Sequence, residues 1–229
     1  MIHDLLGALG TPAGLISTSG VDTGSGVAPN RIHVTTPPAP VTHRLLAEMV
    51  AADLDAAVVE ASSHGLSTQT RRLDDVSFDG AVVTNVSHDH LEFHGTPEAY
   101  LAAKASLVAR LPNGAPAVLH AELRGTAAFV HAATAAAAQV AWFGDEGDCR
   151  IANARFTAAG AEFDIHLDGA RLTVAANLRY PFDLDNCAAA VLTVARLTGG
   201  GLDEVADGIA GLTTPPGRTT EIAAGQPFR

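Results

Sequence analysis

The segment FDGAVVTNVSHDHLEFHGTPEAYLAAK, residues 78–104, contains a predicted strand and a predicted helix in succession. The apolar run at its start predicts a buried strand over residues 78–85. A helix is predicted after Thr96, because threonine is a good N-cap, Pro97 fits the first helical position and Glu98 places negative charge in the first turn. A buried strand followed by a helix is the repeating unit of parallel sheets that carry helices on both faces.

The same alternation extends to both sides of this segment. We therefore predict an α/β fold, a mostly parallel sheet flanked by helices, with the Gly-rich residues 19–30 irregular. Ligands of such sheets bind at the carboxyl ends of the strands, where Glu60 and Asn85 end two predicted strands. The predicted helices are residues 2–9, 40–52 and 97–111, and the predicted strands are residues 13–18, 54–60, 78–85 and 115–120.

The pattern changes after Gly144. Three segments alternate with period two, separated by Ala-Gly and Asp-Gly turns, and predict a small antiparallel sheet. On this basis residues 1–144 form the parallel α/β part, and residues 145–229 complete it with the antiparallel sheet and further helices. The predicted strands are residues 151–156, 162–167 and 171–176, and the predicted helices are residues 183–197 and 202–212.

The composition is that of a globular protein, with 229 residues of which 47% are hydrophobic and 17% charged. The formal net charge of -11 excludes non-specific coating of nucleic acid but permits a local site for an anionic nucleotide. Cys149 and Cys187 lack CxxC spacing, which favours two buried thiols in a reducing, cytoplasmic compartment. The first residues lack the basic segment of a signal peptide, and the alanine-rich residues 126–143 are too short and too polar to span a bilayer, so we expect no membrane insertion.

Lys104 is the one lysine in the sequence, whose other strongly basic residues are arginines. Helical spacing places it on one face with Tyr100, Leu107 and Leu111, which is an apolar stripe. One interpretation is a lysine whose stem packs while its amine reaches water. The other is a chemically used amine: partial burial lowers the pKa of a lysine, and a neutral amine reacts with carbon dioxide to form a carbamate, which is an anionic metal ligand.

Three further segments carry candidate ligands. Residues 88–94 contain three histidines and two carboxylates, which are either a cation site, for Zn²⁺ or Mg²⁺, or a solvated polar loop. Glu60 ends an apolar strand, the position at which nucleotide hydrolases hold Mg²⁺. Arg71 and Arg72 are either a clamp for a phosphate or carboxylate, or a solvated pair.

Four motifs together resemble the Mur ligases, the ATP-dependent enzymes that build the peptidoglycan stem peptide. They are EASSHGL at residues 60–66, TNVSHDHLEFHGTPEAYLAAK at residues 84–104, Thr35-Thr36-Pro37, and Pro216-Gly217-Arg218. The type with the closest resemblance adds the third residue to a UDP-MurNAc-dipeptide (MurE type). The resemblance covers nearly the whole chain and implies the P-loop NTPase-like central domain of these enzymes.

The resemblance implies a role for each matched residue. Lys104 matches a carbamylated lysine that helps hold Mg²⁺, His90 matches a Mg²⁺-ligating histidine, and Glu60 matches the acid that holds Mg²⁺ near the ATP phosphates. The implied cofactors are ATP and Mg²⁺, and the implied substrates are a UDP-MurNAc-peptide and an amino acid whose identity the motifs leave open. The implied substrate contacts are Thr35, Thr36, Ser62 and either Arg71 or Arg72, and the residues assigned to the nucleotide side are Asn85, Asn186 and Arg218.

The sequence lacks several parts of the family pattern. The Gly-x-x-Gly-Lys-Thr phosphate loop that precedes the first helix in these enzymes is absent, since Lys104 is the only lysine. The N-terminal UDP-binding domain and the C-terminal amino-acid-binding domain are also missing, so we expect these 229 residues alone to be a poor or inactive ligase. Two alternatives stay open: a non-catalytic module that binds UDP-MurNAc-peptide or a protein partner, and a metallohydrolase built on His88, Asp89, His90 and His94.

Overall fold

The computed structural model describes residues 1–86, 90–215 and 225. Helices and strands alternate over the first 143 residues, and three longer strands and two helices follow. The helices are Ile2–Ala8 (α1), Ala39–Ala51 (α2), Ser63–Leu66 (α3), Leu91–His94 (α4), Pro97–Ala109 (α5), Ala127–Ala136 (α6), Pro181–Thr198 (α7) and Leu202–Ala210 (α8). The strands are Ala13–Ile16 (β1), Val21–Asp22 (β2), Ala56–Val59 (β3), Ala81–Val83 (β4), Pro116–His120 (β5), Gln139–Phe143 (β6), Cys149–Thr157 (β7), Gly160–Leu167 (β8) and Ala170–Ala176 (β9).

These strands form two sheets, as many as were predicted, but the antiparallel strands β7–β9 extend the larger sheet and β1–β3 form a separate smaller one. The larger has the order β4-β5-β6-β7-β8-β9, and it is parallel from β4 to β7 and antiparallel from β7 to β9. The smaller has the order β2-β1-β3, with β1 and β3 parallel. The mostly parallel α/β fold is confirmed. The prediction that Glu60 and Asn85 end strands of a single sheet is wrong, because no ladder joins β3 to β4 among the residues described.

The Gly-rich residues 19–30, predicted to be irregular, include the short strand β2. The Ser17 amide donates to the Gly20 carbonyl at 2.9 Å and closes a tight turn that returns the chain alongside β1, where Ile16 pairs with Val21. A two-residue strand has too few positions to show an alternating pattern in the sequence, which is why the prediction missed it.

Apolar packing on both faces holds the two sheets together. On one face α1, α7 and α8 build a core against which Val58 of β3 and Val82 of β4 both pack. On the opposite face α5 and α6 build a second core that includes Val83 of β4, and Val59 of β3 packs against it. Successive residues of a strand point to opposite faces, so β3 and β4 each contribute to both cores although no ladder joins them in the described part of the chain.

The predicted features of α5 are confirmed. The Thr96 hydroxyl accepts a hydrogen bond from the Ala99 amide at 3.2 Å, as an N-cap does. Tyr100, Leu107 and Leu111 are buried, so the stripe that contains Lys104 does face the core.

The two cysteines are free and buried, as predicted. Burial raises the pKa of the Cys187 thiol to about 12, so it stays protonated at neutral pH. Among the residues described, no helix combines the length and the apolarity needed to cross a bilayer.

A hydrogen-bonded network around Asp164 crosses the three antiparallel strands. Thr173 Oγ1 donates to Asp164 Oδ1 at 2.6 Å, and Asn153 Nδ2 and the Arg171 guanidinium donate to Oδ2 at 2.6 and 2.9 Å. These bonds, that of Thr173 above all, lower the pKa of Asp164 to about 2. The same residues line a cavity of about 370 Å³, and because both carboxylate oxygens are already satisfied, we assign this network to structure rather than to ligand binding.

We expect Asp164→Asn to destabilise the fold and to remove part of its acid sensitivity. The pKa of this carboxyl falls from an ordinary value of 3.8 to about 2 on folding. Its stabilising contribution is therefore present above about pH 4 and is lost as the pH falls towards 2. Urea unfolding at pH 7, 4 and 2.5 measures both effects, with Asp79→Asn on the exposed surface as control. Identical losses of stability in wild type and Asp164→Asn between pH 4 and 2.5 would contradict this assignment.

Candidate functional site

A cavity of about 560 Å³ opens where β1 and β3 end. Hydroxyl, amide, guanidinium and imidazole groups line it, which suits an anionic ligand. The lining residues are Thr18, Asn30, His33, Val34, Thr35, Thr36, Ser62, His64, Arg72 and His90. Five of them are predicted site residues, namely Thr35, Thr36, Ser62, Arg72 and His90.

The Thr36 side chain holds the floor of this cavity together. Thr36 has no exposed surface, and its hydroxyl donates to the Glu60 carbonyl at 2.8 Å. The same hydroxyl accepts from the Ser62 amide at 2.9 Å and lies 3.0 Å from Ser62 Oγ. Ser62 Oγ in turn accepts from the Gly65 amide at 3.1 Å and so caps α3. The loop before α2, the end of β3 and the start of α3 therefore meet at one threonine.

Gly65 allows this close approach. A Cβ atom at position 65 would lie 2.5 to 2.9 Å from three atoms of the Thr36 side chain. Contacts that short force one group to move, and a buried β-branched side chain with three hydrogen bonds has little room to do so. Glycine at this position is thus a packing requirement of the site.

Glu60 joins the cavity through Thr18. The Thr18 amide donates to Glu60 Oε2 at 2.7 Å, and the hydroxyls of Thr18 and Thr35 are 2.8 Å apart. Thr18 therefore connects Glu60, the acid predicted to hold a cation, with Thr35, a threonine predicted to contact substrate.

The structure distinguishes the two adjacent arginines. Arg72 lines the cavity and donates to the Thr36 carbonyl at 2.6 Å. Arg71 has a left-handed backbone with φ of 51°, is 71% exposed at its side chain and donates from Nε to Asp74 at 2.7 Å. That ion pair raises the pKa of Arg71 and lowers that of Asp74. Arg72 is consequently the arginine placed to contact a ligand in the cavity.

Histidine rings pack at one wall. His90, the left-handed N-cap of α4, has its ring centroid 4.8 Å from that of His64, and the His64 ring is 4.1 Å from that of Phe93. Burial is the largest cause that lowers the pKa of His64 and of His94, which favours the neutral form of both rings. Nε2 of His94 is buried and has no hydrogen-bond partner among the residues described.

Lys104 lies on the helix that packs behind this wall. It is half-buried, and its Nζ donates to the Asn85 carbonyl at 3.1 Å and lies 5.4 Å from the centroid of the Tyr100 ring. Its amine is therefore held by local contacts rather than extended into solvent.

The residues assigned to the nucleotide side are not among those that line the cavity. Asn85 is exposed just beyond β4, and Asn186 is half-buried in α7, which packs against β5 and β6. Arg218 lies outside the described residues, as do His88 and Asp89 of the predicted cation cluster.

Glu60 and His90, two of the predicted metal ligands, lie beside the cavity and at its wall. In the described part of the chain, no group of three or more His, Cys, Asp or Glu side chains is placed to hold a metal ion. Mg²⁺ is usually held by one or two carboxylates, while water and substrate phosphates complete its shell. Glu60, with one oxygen fixed by the Thr18 amide, and His90 at the cavity wall fit such a partial set, and a carbamate on Lys104 would add oxygen ligands.

Thr18, Asn30 and His64 line the cavity, and sequence reasoning did not identify them as site residues. Thr18 ends the predicted strand of residues 13–18, so the rule that ligands bind at carboxyl ends pointed to it. His64 lies within the EASSHGL motif. Asn30 lies in a Gly-rich segment, where no sequence pattern marked it as a site residue.

Comparison with known proteins places this geometry in a family. A family model described as Mur ligase middle domain matches residues 1–194. UDP-N-acetylmuramyl-tripeptide synthetase of Treponema pallidum is 51% identical over 106 residues, which are 46% of this chain and 20% of that protein. UDP-N-acetylmuramoyl-L-alanyl-D-glutamate--2,6-diaminopimelate ligase of Chlamydia felis is 34% identical over 229 residues, which are 98% of this chain and 45% of that protein. The chain thus spans less than half the length of these relatives.

Solved structures share the fold. A UDP-N-acetylmuramoyl-L-alanyl-D-glutamate--2,6-diaminopimelate ligase superposes with a TM-score of 0.80 at 28% identity, over 97% of this chain and 45% of that chain. An FPGS–AMPPCP complex superposes with a TM-score of 0.70 at 20% identity, over 97% of this chain and 62% of that chain. At that lower identity the likeness extends to the fold alone.

We expect Gly65→Ala to destabilise the protein by about 1–3 kcal/mol, because the new methyl group overpacks against Thr36. Gly7→Ala is the matched control: Gly7 also lies in a helix, a Cβ there meets nothing within 4 Å, and alanine should stabilise it by about 0.5–1 kcal/mol. Equilibrium urea unfolding measures both. If the two alanine variants gain stability alike, the close packing of Gly65 on Thr36 is not a constraint.

Proposed function

This chain belongs to the Mur ligase family through its middle domain, and we propose that it provides the substrate and metal side of an ATP-dependent ligase. The proposed reaction joins an amino acid to UDP-MurNAc-L-Ala-D-Glu, the class of reaction that the names of the relatives describe. The observation that supports it is the cavity at the ends of β1 and β3, where hydroxyls and a guanidinium lie close to a carboxylate. Those residues are Thr35, Thr36, Ser62, Arg72 and Glu60.

The cavity residues are suited to hold an anionic substrate in place. The proposed substrate carries a diphosphate and carboxylates, and Arg72 has several N–H donors, of which one nitrogen bonds the Thr36 carbonyl. A guanidinium with fixed orientation pairs well with planar or tetrahedral oxyanions. The Thr35 hydroxyl, 2.8 Å from that of Thr18, adds a neutral donor beside it. Together they would fix the direction of the carboxylate that reacts.

Glu60 and His90 are the residues that would hold Mg²⁺. When bound, the cation would offset negative charge on the triphosphate and on the substrate carboxylate as they approach each other. Lys104 contributes by changing its charge. Its neutral amine adds to the carbon of carbon dioxide and releases one proton, which leaves a carbamate with a charge of about -1 in place of an ammonium ion. A negative group beside the cations favours their binding, whereas an ammonium ion would oppose it.

The proposed chemistry has two steps. The γ-phosphoryl group of ATP passes to the terminal carboxylate of the substrate, which yields an acyl phosphate and ADP. The amine nitrogen of the incoming amino acid then attacks the acyl carbon, the bond from that carbon to the phosphate oxygen breaks, and the nitrogen loses a proton as the amide forms. In both steps the role of this chain's residues is to position the carboxylate and to stabilise developing negative charge.

A non-catalytic role is the second candidate. The cavity proposed for the substrate is built from side chains of these 229 residues themselves. On this view the chain binds the UDP-MurNAc-peptide without turning it over. The metallohydrolase alternative stays a prediction, because His88 and Asp89 of its proposed cluster lie outside the described residues.

Substrate binding should depend on one arginine and not on its neighbour. Arg72→Gln is expected to weaken the binding of UDP-MurNAc-L-Ala-D-Glu about tenfold or more, because it removes a charged partner of an oxyanion. Arg71 points to Asp74, so Arg71→Gln should change the affinity for this substrate less than twofold, which is about 0.4 kcal/mol at most. Isothermal titration calorimetry measures both. Equal effects of the two substitutions would contradict the assignment of Arg72 to the cavity.

Lys104 should be required for turnover in an active ligase that contains this domain. We expect Lys104→Ala to reduce kcat about 10²–10³-fold. Lys104→Arg should do the same, because a guanidinium stays protonated and forms no carbamate. Phosphate release measures the rate, and a carbonyl signal in ¹³C NMR under labelled carbon dioxide reports the carbamate. Arg44→Ala, at an exposed ion pair with Glu48, is the control. A wild-type rate in Lys104→Ala would refute the carbamate role.

A further inference from the structure

Thr18 contacts both halves of the candidate site. Its amide donates to Glu60 Oε2 at 2.7 Å, and its hydroxyl lies 2.8 Å from that of Thr35. Glu60 stands on the proposed metal side and Thr35 on the proposed substrate side. Thr18 itself follows β1, lines the cavity and is exposed within it.

The peptide group that presents the Thr18 amide is fixed from both sides. The Ser17 carbonyl and the Thr18 N–H belong to one planar unit and point in opposite directions. Asn30 Nδ2 donates to that carbonyl at 2.7 Å, while Glu60 accepts from the N–H. Asn30 is itself anchored, since its Nδ2 also donates to the Val34 carbonyl at 3.0 Å. The orientation of the Glu60 carboxylate therefore depends on a peptide plane that cannot rotate freely.

The hydroxyl of Thr18 sets what Thr35 can offer to a ligand. A hydroxyl has one proton to donate and can accept at its oxygen. If Thr18 donates to Thr35, the proton of Thr35 is available for an oxygen of the substrate. Such a chain, from Thr18 to Thr35 to the substrate, is polarised in one direction, which strengthens each bond in it. Once a ligand covers the cavity, water no longer competes for these groups.

We propose that Thr18 is a positioning residue that orients the Glu60 carboxylate through its amide and makes Thr35 a hydrogen-bond donor towards the substrate through its hydroxyl. This inference rests on the proposed function for the identity of the ligand. It adds a residue and a direction of hydrogen bonding that the matched motifs do not contain.

Calorimetric titration of the chain with UDP-MurNAc-L-Ala-D-Glu tests the role of the hydroxyl. Thr18→Val keeps the shape of the side chain and the backbone N–H but deletes the hydroxyl, and it should weaken binding about tenfold. Thr18→Ser restores the hydroxyl and should bind within about twofold of wild type. Thr134→Val, which deletes an exposed hydroxyl bonded to the Val130 carbonyl, is the matched control and should bind as wild type does. Wild-type affinity in Thr18→Val, or equal weakening in Thr18→Ser, overturns the inference.

A measurement without ligand separates this inference from the proposed function. In ¹H–¹³C spectra of the chain, the Thr35 methyl signal reports the rotamer of that side chain. We expect Thr18→Val to shift it and Thr18→Ser to leave it in place. If the methyl signal responds in this way while wild type binds no substrate, the proposed function has failed and the positioning role stands. If wild type binds substrate and the Thr35 signal is unmoved in Thr18→Val, the positioning role has failed and the proposed function stands.

Discussion

The hydrogen bonds of the buried Thr36 hydroxyl are the constraint on which the candidate site depends. They join the loop before α2 to the carbonyl of Glu60 and to the amide of Ser62, and so fix three separate segments at one point. Loss of the buried Thr36 hydroxyl would leave a part-buried carbonyl and a part-buried amide without this partner, and an unsatisfied buried group costs about 1–3 kcal/mol. Gly65 packs so closely on Thr36 that there is no room for a Cβ atom at position 65. The same hydrogen bonds therefore determine both the shape of the cavity and the stability of the segments around it.

The division of the strands into two sheets explains how the two sides of the site are assembled. The threonines, Ser62 and Glu60 follow strands of the smaller sheet, whereas Asn85 and Lys104 belong to the layer of β4 and α5. Since β3 and β4 share no ladder in the described residues, the relation of these two sides depends on apolar packing of Val58, Val59, Val82 and Val83 against common cores. Packing of this kind is close and resists small displacements, so it can hold groups in register without a hydrogen bond between the strands.

The sequence predicted those parts of the structure that depend on local or periodic signals. The Thr96 cap and the buried stripe of α5 are set within one helix, and both are confirmed. The threonine pair and Ser62 were predicted as site residues from motifs, and they do line one cavity. The sequence could not separate Arg71 from Arg72, because only the structure shows the left-handed backbone at Arg71 and its bond to Asp74. The break between β3 and β4 was missed for a similar reason, since strand order is a long-range property that period-two patterns do not encode.

The chain carries a net negative charge, whereas the cavity presents a fixed positive charge at Arg72. A formal charge of -11 repels polyanions at a distance, so affinity for a phosphorylated sugar has to come from local groups. Arg72 supplies a fixed positive charge, while burial lowers the pKa of His64 and so favours its neutral form. A cavity with one fixed cation and several neutral donors is suited to bind an anion. A bound triphosphate would add negative charge that this one guanidinium does not offset. On the proposed function, metal ions would fill that need where Glu60 and a carbamate on Lys104 attract them, and a lysine that changes sign would then serve this site better than a permanent cation.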